Sequence, residues 1–292
     1  MRARPSVCEM LNYPAAARLL IINADDFGLC HAENEGTVRS ITEGLASSCS
    51  LMVPVPWSLH GIHLLKEHQF PFAVHLTLVS EYNHYRWGPV APFDKVPSLL
   101  DESGYFPLDS CFAEQVLQAD LGDVETEFRA QIEAVLSSGL KPTHLDSHYH
   151  THELGEDIFD TTVGLALEYG LALRVSGKTA MENLQRRGYP TNDHAVLDSG
   201  GIRPKDKARV LAKRLRELPC GLSEWAVHPG IATEELKAVM ADPNTENTGT
   251  SGGRQTDLDF LISKEARAIV EEEGIEILSY ESLQRLWQVK QD

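Results

Sequence analysis

Two adjacent carboxylates, Asp25 and Asp26, follow directly on an apolar run in "RLLIINADDFG" (18–28). Like charges this close disfavour joint ionisation unless a cation sits nearby. The pair therefore asks for a counter-ion, and the chain offers side chains that could hold one. His75 lies in "FPFAVHLTL", and "PTHLDSHYHTH" carries His144, Asp146, His148, His150 and His152. Arg174 lies in "LALRVS", and His228 closes "EWAVHPG". An aspartate with two or three imidazoles is a ligand set for a catalytic divalent metal that keeps positions open for water. One carboxylate of the pair can bind the ion and stay ionised, while the other remains close by as an acid–base group.

Each signal has a plainer reading. A double Asp after a strand also serves as a helix N-cap, because carboxylates accept the first free N–H groups. His75 alone reads as a hydrogen-bonded core histidine, "HPG" as a turn, and Arg174 as a partner for any carboxylate. Tyr85 and Trp87 in "NHYRWGP" could stack on a sugar ring or simply pin a loop. The cluster in 144–152 resists such a reading, since four histidines and an aspartate are expensive to bury without partners. A surface His-rich tract is its alternative.

The elements that must position these residues alternate. Strand patterns fall at 19–23, 47–53, 70–78, 142–148, 171–176, 222–230 and 275–280, and helical spacing at 32–45, 57–68, 124–139, 158–170, 206–218 and 263–274. Residues 1–17 read as a flexible extension, 79–120 as a Pro-, Gly- and aromatic-rich insertion, and 245–257 as a polar, Gly-rich loop. Alternating βα units imply a mostly parallel sheet with helices outside. About seven strands in residues 18–292 point to a single α/β domain, a closed or nearly closed (β/α) barrel, with a doubly wound sheet as runner-up. No G-x-G-x-x-G follows the first strand, and there is no P-loop. In a barrel the polar residues above fall at the C-terminal strand ends, where chemistry is placed.

Composition narrows the partners. The 292-residue chain has a net charge of −17, which argues against nucleic acid or an anionic membrane surface. The five cysteines are scattered, with no CxxC spacing, so free thiols in a reducing cytoplasm fit best. No run reaches the roughly 18 apolar residues of a membrane span.

Taken together, "LIINADDFG", "VHLTL", "PTHLDSHYHTH", "LRVS", "VHPG" and "EEEGIEILSYESL" resemble the YdjC-like (ChbG/HpnK) carbohydrate deacetylases, from about Arg18 to Leu283. The resemblance implies a deformed TIM-like barrel related to the NodB-type polysaccharide deacetylases. It also implies metal-dependent removal of N-acetyl groups from a small carbohydrate such as a chito-oligosaccharide, and a homodimer. Asp26, His75 and His148 then match the metal ligands, Asp25 the catalytic base, His228 the acid, and Arg174 the arginine that orients the base. His150 and His152 are left as reserve ligands or substrate contacts. An extended 144–152 would put His148, His150 and His152 on one face, whereas a helical turn after Asp146 would pair His148 with His152. One divalent ion is expected: zinc or magnesium first, manganese, cobalt or iron as alternatives. The rival readings are an amidohydrolase or phosphoesterase on another metal-dependent barrel, and a non-catalytic sugar-binding protein. Amidohydrolase-type barrels typically open with H-x-H, and here the first strand gives "ADD".

Overall fold

The apolar residues of the first strand, β1 (Arg18–Phe27), are covered on both sides, and that sets the architecture. A computed structural model describes residues 6–241 and 251–289. The other strands are β2 (Ser48–Leu51), β3 (Phe72–Leu76), β4 (His144–Ser147), β5 (Ala172–Leu173), β6 (Leu197–Asp198), β7 (Gly221–Val227) and β8 (Ile275–Leu278). Along one edge β1 pairs with β7 from Arg18 to Ala24. Along the other, β8 covers Arg18–Ile21 and β2 takes over from Asn23. With every hydrogen-bonding direction filled and helices packed outside, Leu19, Leu20, Ile21 and Ile22 are all buried. Continuous apolar runs are what a parallel strand covered on both faces requires.

The sheet runs β5-β4-β3-β2-β1-β7-β6, with β8 beside β1, and every strand pairing is parallel. It curls into a deformed TIM-like barrel whose terminal strands, β5 and β6, are two residues long and lack ladder pairing with each other among the described residues. Among the described residues eight strands are present where about seven were expected. Strand β6 adds the eighth, too short for a periodic signal.

Local chemistry explains the helix limits. Asp120 caps Leu121–Ser137 by accepting from the Gly122 N–H at 2.8 Å, and Gly139 turns the chain with φ 85°. Ser263 caps Lys264–Glu272 through the Ala266 N–H at 3.0 Å. In the segment expected to be an extension, Ser6 and Glu9 form a capping box on Val7–Met10, and Val7 and Cys8 are buried. Residues 79–120 carry short turns at Phe93–Lys95 and Pro97–Leu99 and the helix Phe112–Gln118. They pack Trp87, Val96, Leu99 and Phe106 into the core.

One expectation is corrected. Of the stretch 245–257, residues 245–250 lie outside the described residues, but Ser251–Leu261 is a helix, not a loop. Its glycines and polar residues favour helix weakly. Buried side-chain bonds from Arg254 and Asp257 hold it against the barrel.

Candidate active site

In a regular strand Asp25 and Asp26 would point to opposite faces. Here the register slips, with Ala24 opposite Cys49 and Phe27 opposite Leu51, so β1 carries one more residue than β2 over this stretch. Asp26 absorbs it with φ 65°, in the left-handed region. Such conformations cost free energy in a non-glycine residue and concentrate at functional sites. The result is that both carboxylates line one cavity of about 340 Å³ at the C-terminal strand ends.

The two acids have different partners. Asp25 takes two bonds from Arg174, at 2.7 and 2.9 Å, and a third from Asn23 at 2.7 Å. Burial opposes its ionisation, but the Arg174 guanidinium outweighs burial and holds its pKa below the ordinary value. Arg174 itself is buried among carboxylates, reaching Asp146 at 2.9 Å and Glu224 at 2.6 Å, and Tyr280 donates to the far oxygen of Glu224. Asp26 instead accepts from Arg254 at 2.7 Å through Oδ2. Burial again opposes ionisation, and Arg254 and His148 together hold its pKa well below the usual carboxylate range.

The second oxygen of Asp26, Oδ1, is buried without a hydrogen-bond partner among the described residues. It lies 3.7 Å from His75 Nε2 and 3.2 Å from His148 Nδ1. Donor atoms on a tetrahedral ion with bonds of about 2.1 Å sit about 3.4 Å apart, so these spacings suit a small divalent cation. His75 is prepared for that role. Its Nδ1 bonds Asp146 Oδ1 at 2.8 Å, which places the ring proton there and leaves Nε2 with its lone pair toward Asp26. Burial pulls the His148 ring toward neutrality, but Glu81 and Asp26 outweigh it and raise its pKa to about 10. A metal ion between the same groups would take the place of that proton. Asp26, His75 and His148 therefore could hold a divalent metal. Asp25, His75 and Asp146 also lie close together, but both Asp25 oxygens already bond Arg174.

The histidine-rich stretch is neither extended nor regularly helical. Strand β4 stops at Ser147, and Tyr149 and His150 take φ 56° and 52°. That reversal brings His148, Tyr149 and His150 to the cavity wall. His152 is turned away, buried, with Nδ1 on Ser147 Oγ and Nε2 3.0 Å from the Arg174 carbonyl, so neither ring nitrogen is free for an ion. His150 bonds Ser176 Oγ at 2.9 Å. His228, just beyond β7, lines the cavity opposite, with Nδ1 3.5 Å from Ser199 Oγ and 3.8 Å from Asp198 Oδ1.

The family follows from comparison. The model of the YdjC-like proteins matches residues 19–272. The chain belongs to this family. A carbohydrate deacetylase of Enterococcus faecalis is 30% identical, covering 90% of this chain and 97% of its own. One from Brevibacillus brevis is 36% identical, with 90% and 99% covered. A chitooligosaccharide deacetylase of Yersinia enterocolitica is 27% identical, with 90% and 98% covered. A solved structure of a candidate cellobiose-phosphate cleavage protein from Enterococcus faecalis V583 superposes with a TM-score of 0.75 at 29% identity, over 91% of this chain and 99% of that one.

In this YdjC-like chain the two aromatics expected to meet substrate do not line the cavity. Trp87 is buried against Tyr82 and Tyr85, and the Tyr85 hydroxyl donates to the Leu29 carbonyl at 2.6 Å. They pin the loop. Their neighbours Glu81 and Tyr82 reach the cavity instead, along with Tyr149 and Arg254. None of these four was legible as a site residue. The sequence analysis answered the paired aspartates with a metal ion and Arg174, and Arg254 adds a second buried cation.

Proposed function

We propose that this protein is a carbohydrate N-deacetylase, hydrolysing the acetamide of a chito-oligosaccharide or related amino sugar to acetate and a free amine. The observation that carries the reading is the pairing of an ionised Asp25, clamped by Arg174, with an adjacent Asp26–His75–His148 donor set in one cavity. Relatives aligned over nine-tenths of the chain that are named carbohydrate and chitooligosaccharide deacetylases support it.

In this reading Asp26, His75 and His148 would hold a divalent ion, which would supply Lewis acidity to the attacking water and the acetamide carbonyl. Asp25 accepts the proton as the water oxygen attacks the carbonyl carbon. Arg174 and Asn23 fix Asp25 so that it needs no reorganisation. His228, across the cavity, gives a proton to the sugar nitrogen as the C–N bond breaks, because an amide nitrogen does not depart as an anion.

The test is acetate release from N-acetylglucosamine and chito-oligomers, using metal-stripped protein reloaded with zinc, magnesium, manganese or cobalt. Asp25→Asn should lower turnover by roughly 100- to 10,000-fold while metal uptake persists. Undiminished turnover in that variant would remove Asp25 from the chemistry. No acetate from any N-acetyl sugar with any ion would overturn the function.

A further inference from the structure

The aromatic stretch after β3 delivers a carboxylate into the cavity that the mechanism above does not use. Glu81 follows Ser80, which is tied on every side. Its N–H donates to the Pro107 carbonyl at 2.9 Å, and its hydroxyl accepts from Arg86 Nε at 3.1 Å and from the Trp87 N–H at 3.0 Å. Trp87 in turn packs edge-on against Tyr82 and Tyr85. Such anchoring fixes where Glu81 points. Its side chain is only 11% exposed and lines the cavity. Oxygen Oε2 accepts from the Tyr149 hydroxyl at 2.9 Å and lies 3.6 Å from His148 Nε2. Tyr82 lines the cavity beside it. Oxygen Oε1 is buried and has no hydrogen-bond partner among the described residues.

A buried carboxylate oxygen without a donor is costly, and the usual resolution is a ligand that supplies one. The donor must be within reach of the reacting centre, because the width of one imidazole separates Glu81 from Asp26. His148 faces Asp26 through Nδ1 at 3.2 Å and Glu81 through Nε2. A pyranose whose acetamide lies beside Asp26, His75 and His148 carries hydroxyl groups on the ring carbons next to the reacting nitrogen's own. The C3 hydroxyl is the one fixed beside a 2-acetamido group, since C1 carries the glycosidic bond in an oligomer. We propose that Glu81 is a specificity-determining residue that accepts a hydrogen bond from this C3 hydroxyl through Oε1, with Tyr149 holding its carboxylate in place. This rests on the deacetylase reading. It also gives the aromatic insertion a purpose: Trp87 and Tyr85 do not touch the sugar but aim the residue that does.

The experiment compares kcat/KM for N-acetylglucosamine units with an intact C3 hydroxyl, their 3-deoxy analogues and their 6-deoxy analogues, in metal-loaded wild type, Glu81→Ala and Glu81→Gln. Wild type should disfavour the 3-deoxy sugar by roughly 10- to 100-fold, the range of one hydrogen bond to a charged group. In Glu81→Ala the intact sugar should fall to the level of its 3-deoxy analogue, while the 6-deoxy ratio stays as in wild type. Glu81→Gln, which keeps the shape and one acceptor oxygen, should give intermediate discrimination. Metal content by elemental analysis should equal that of wild type in all three. Undiminished discrimination at C3 in both variants would overturn the assignment, and so would loss of the metal, which would make Glu81 a ligand. Absence of acetate release by wild type from every sugar would instead remove the deacetylase reading on which this rests.

Discussion

Arg254 donates to Asp26 Oδ2 at 2.7 Å and to Glu33 Oε1 at 2.7 Å, so a guanidinium on the helix Ser251–Leu261 neutralises a carboxylate on β1. The contact leaves Asp26 Oδ1 bare toward His75 and His148. Arg174 does the corresponding work for Asp25 from the other side of the barrel. Two adjacent acids can both be ionised because each has its own buried arginine.

Removing Arg254 should leave Asp26 with the His148 ring as its nearest counter-charge and take from Glu33 the cation beside it. Glu33 is already strained in this sense. Burial raises its pKa to about 8 even with Arg254 beside it. In the metal-free protein Arg254→Met should cost about 3–5 kcal/mol, the usual penalty for breaking a buried pair. Adding Glu33→Gln in the same chain should return part of that. Urea unfolding of the two variants checks it, and equal stabilities would mean that Glu33 does not depend on Arg254.

His75 presents Nε2 to Asp26 only while Asp146 takes the proton on Nδ1. Asp146→Asn should weaken metal binding by about 10- to 100-fold, because an amide can donate to Nδ1 and so favour the tautomer with Nε2 protonated. Titration of stripped protein with zinc or cobalt measures this. Unchanged affinity would mean that His75 is not a ligand.

The candidate site was legible because polar residues at the ends of apolar strands are costly unless they serve a site. Asp25, Asp26, His75, His148, Arg174 and His228 all break such a pattern, and all but Arg174 line the cavity, which Arg174 reaches through Asp25. Arg254 was illegible for a local reason. "TGTSGGRQTD" has the composition of a loop, and only tertiary bonds such as Lys207 to Asp257 at 2.8 Å hold Ser251–Leu261 helical. Glu81 is a lone acid among aromatics and carries no pattern at all. Strand β6 is too short for any periodicity, and the left-handed turn at Tyr149 and His150 carries no glycine to announce it.

His152 should make the fold acid-sensitive. Burial lowers its pKa from 6.5 to about 4 in the folded chain. Between those values the unfolded chain takes up a proton that the folded ring refuses, so stability falls as pH drops. The contribution is complete above pH 6.5 and amounts to about 3 kcal/mol lost by pH 4. His144, lowered to about 3, acts in the same direction. His152→Gln should therefore unfold with a shallower pH dependence than wild type over this window. Parallel pH dependences in urea would exclude the ring as the titrating group.

Tyr85 ties the insertion to the segment after β1 through its bond to the Leu29 carbonyl. Tyr85→Phe should cost about 1 kcal/mol of stability, the net value of one hydrogen bond. Because the ring does not line the cavity, KM for an N-acetylated sugar should stay within error of wild type. A rise in KM with unchanged stability would return Tyr85 to the substrate.

The turn that carries His228 depends on a glycine in a different element. Gly36 lies in the helix His31–Thr42, and a Cβ there would come 2.4 Å from the Pro229 carbonyl oxygen and 2.6 Å from Gly230 Cα. Both contacts are with backbone, so neither can swing aside as a side-chain end would. Gly36→Ala must push the helix off the 229–230 turn, at a cost of about 1–3 kcal/mol. The displacement acts on the residue next to His228, while Asp26 and His75 stand on β1 and β3 and His148 just beyond β4. Turnover should therefore fall more than metal affinity, and the two can be measured on the same preparation. Equal losses in both would show that the helix supports the whole site and not His228 in particular.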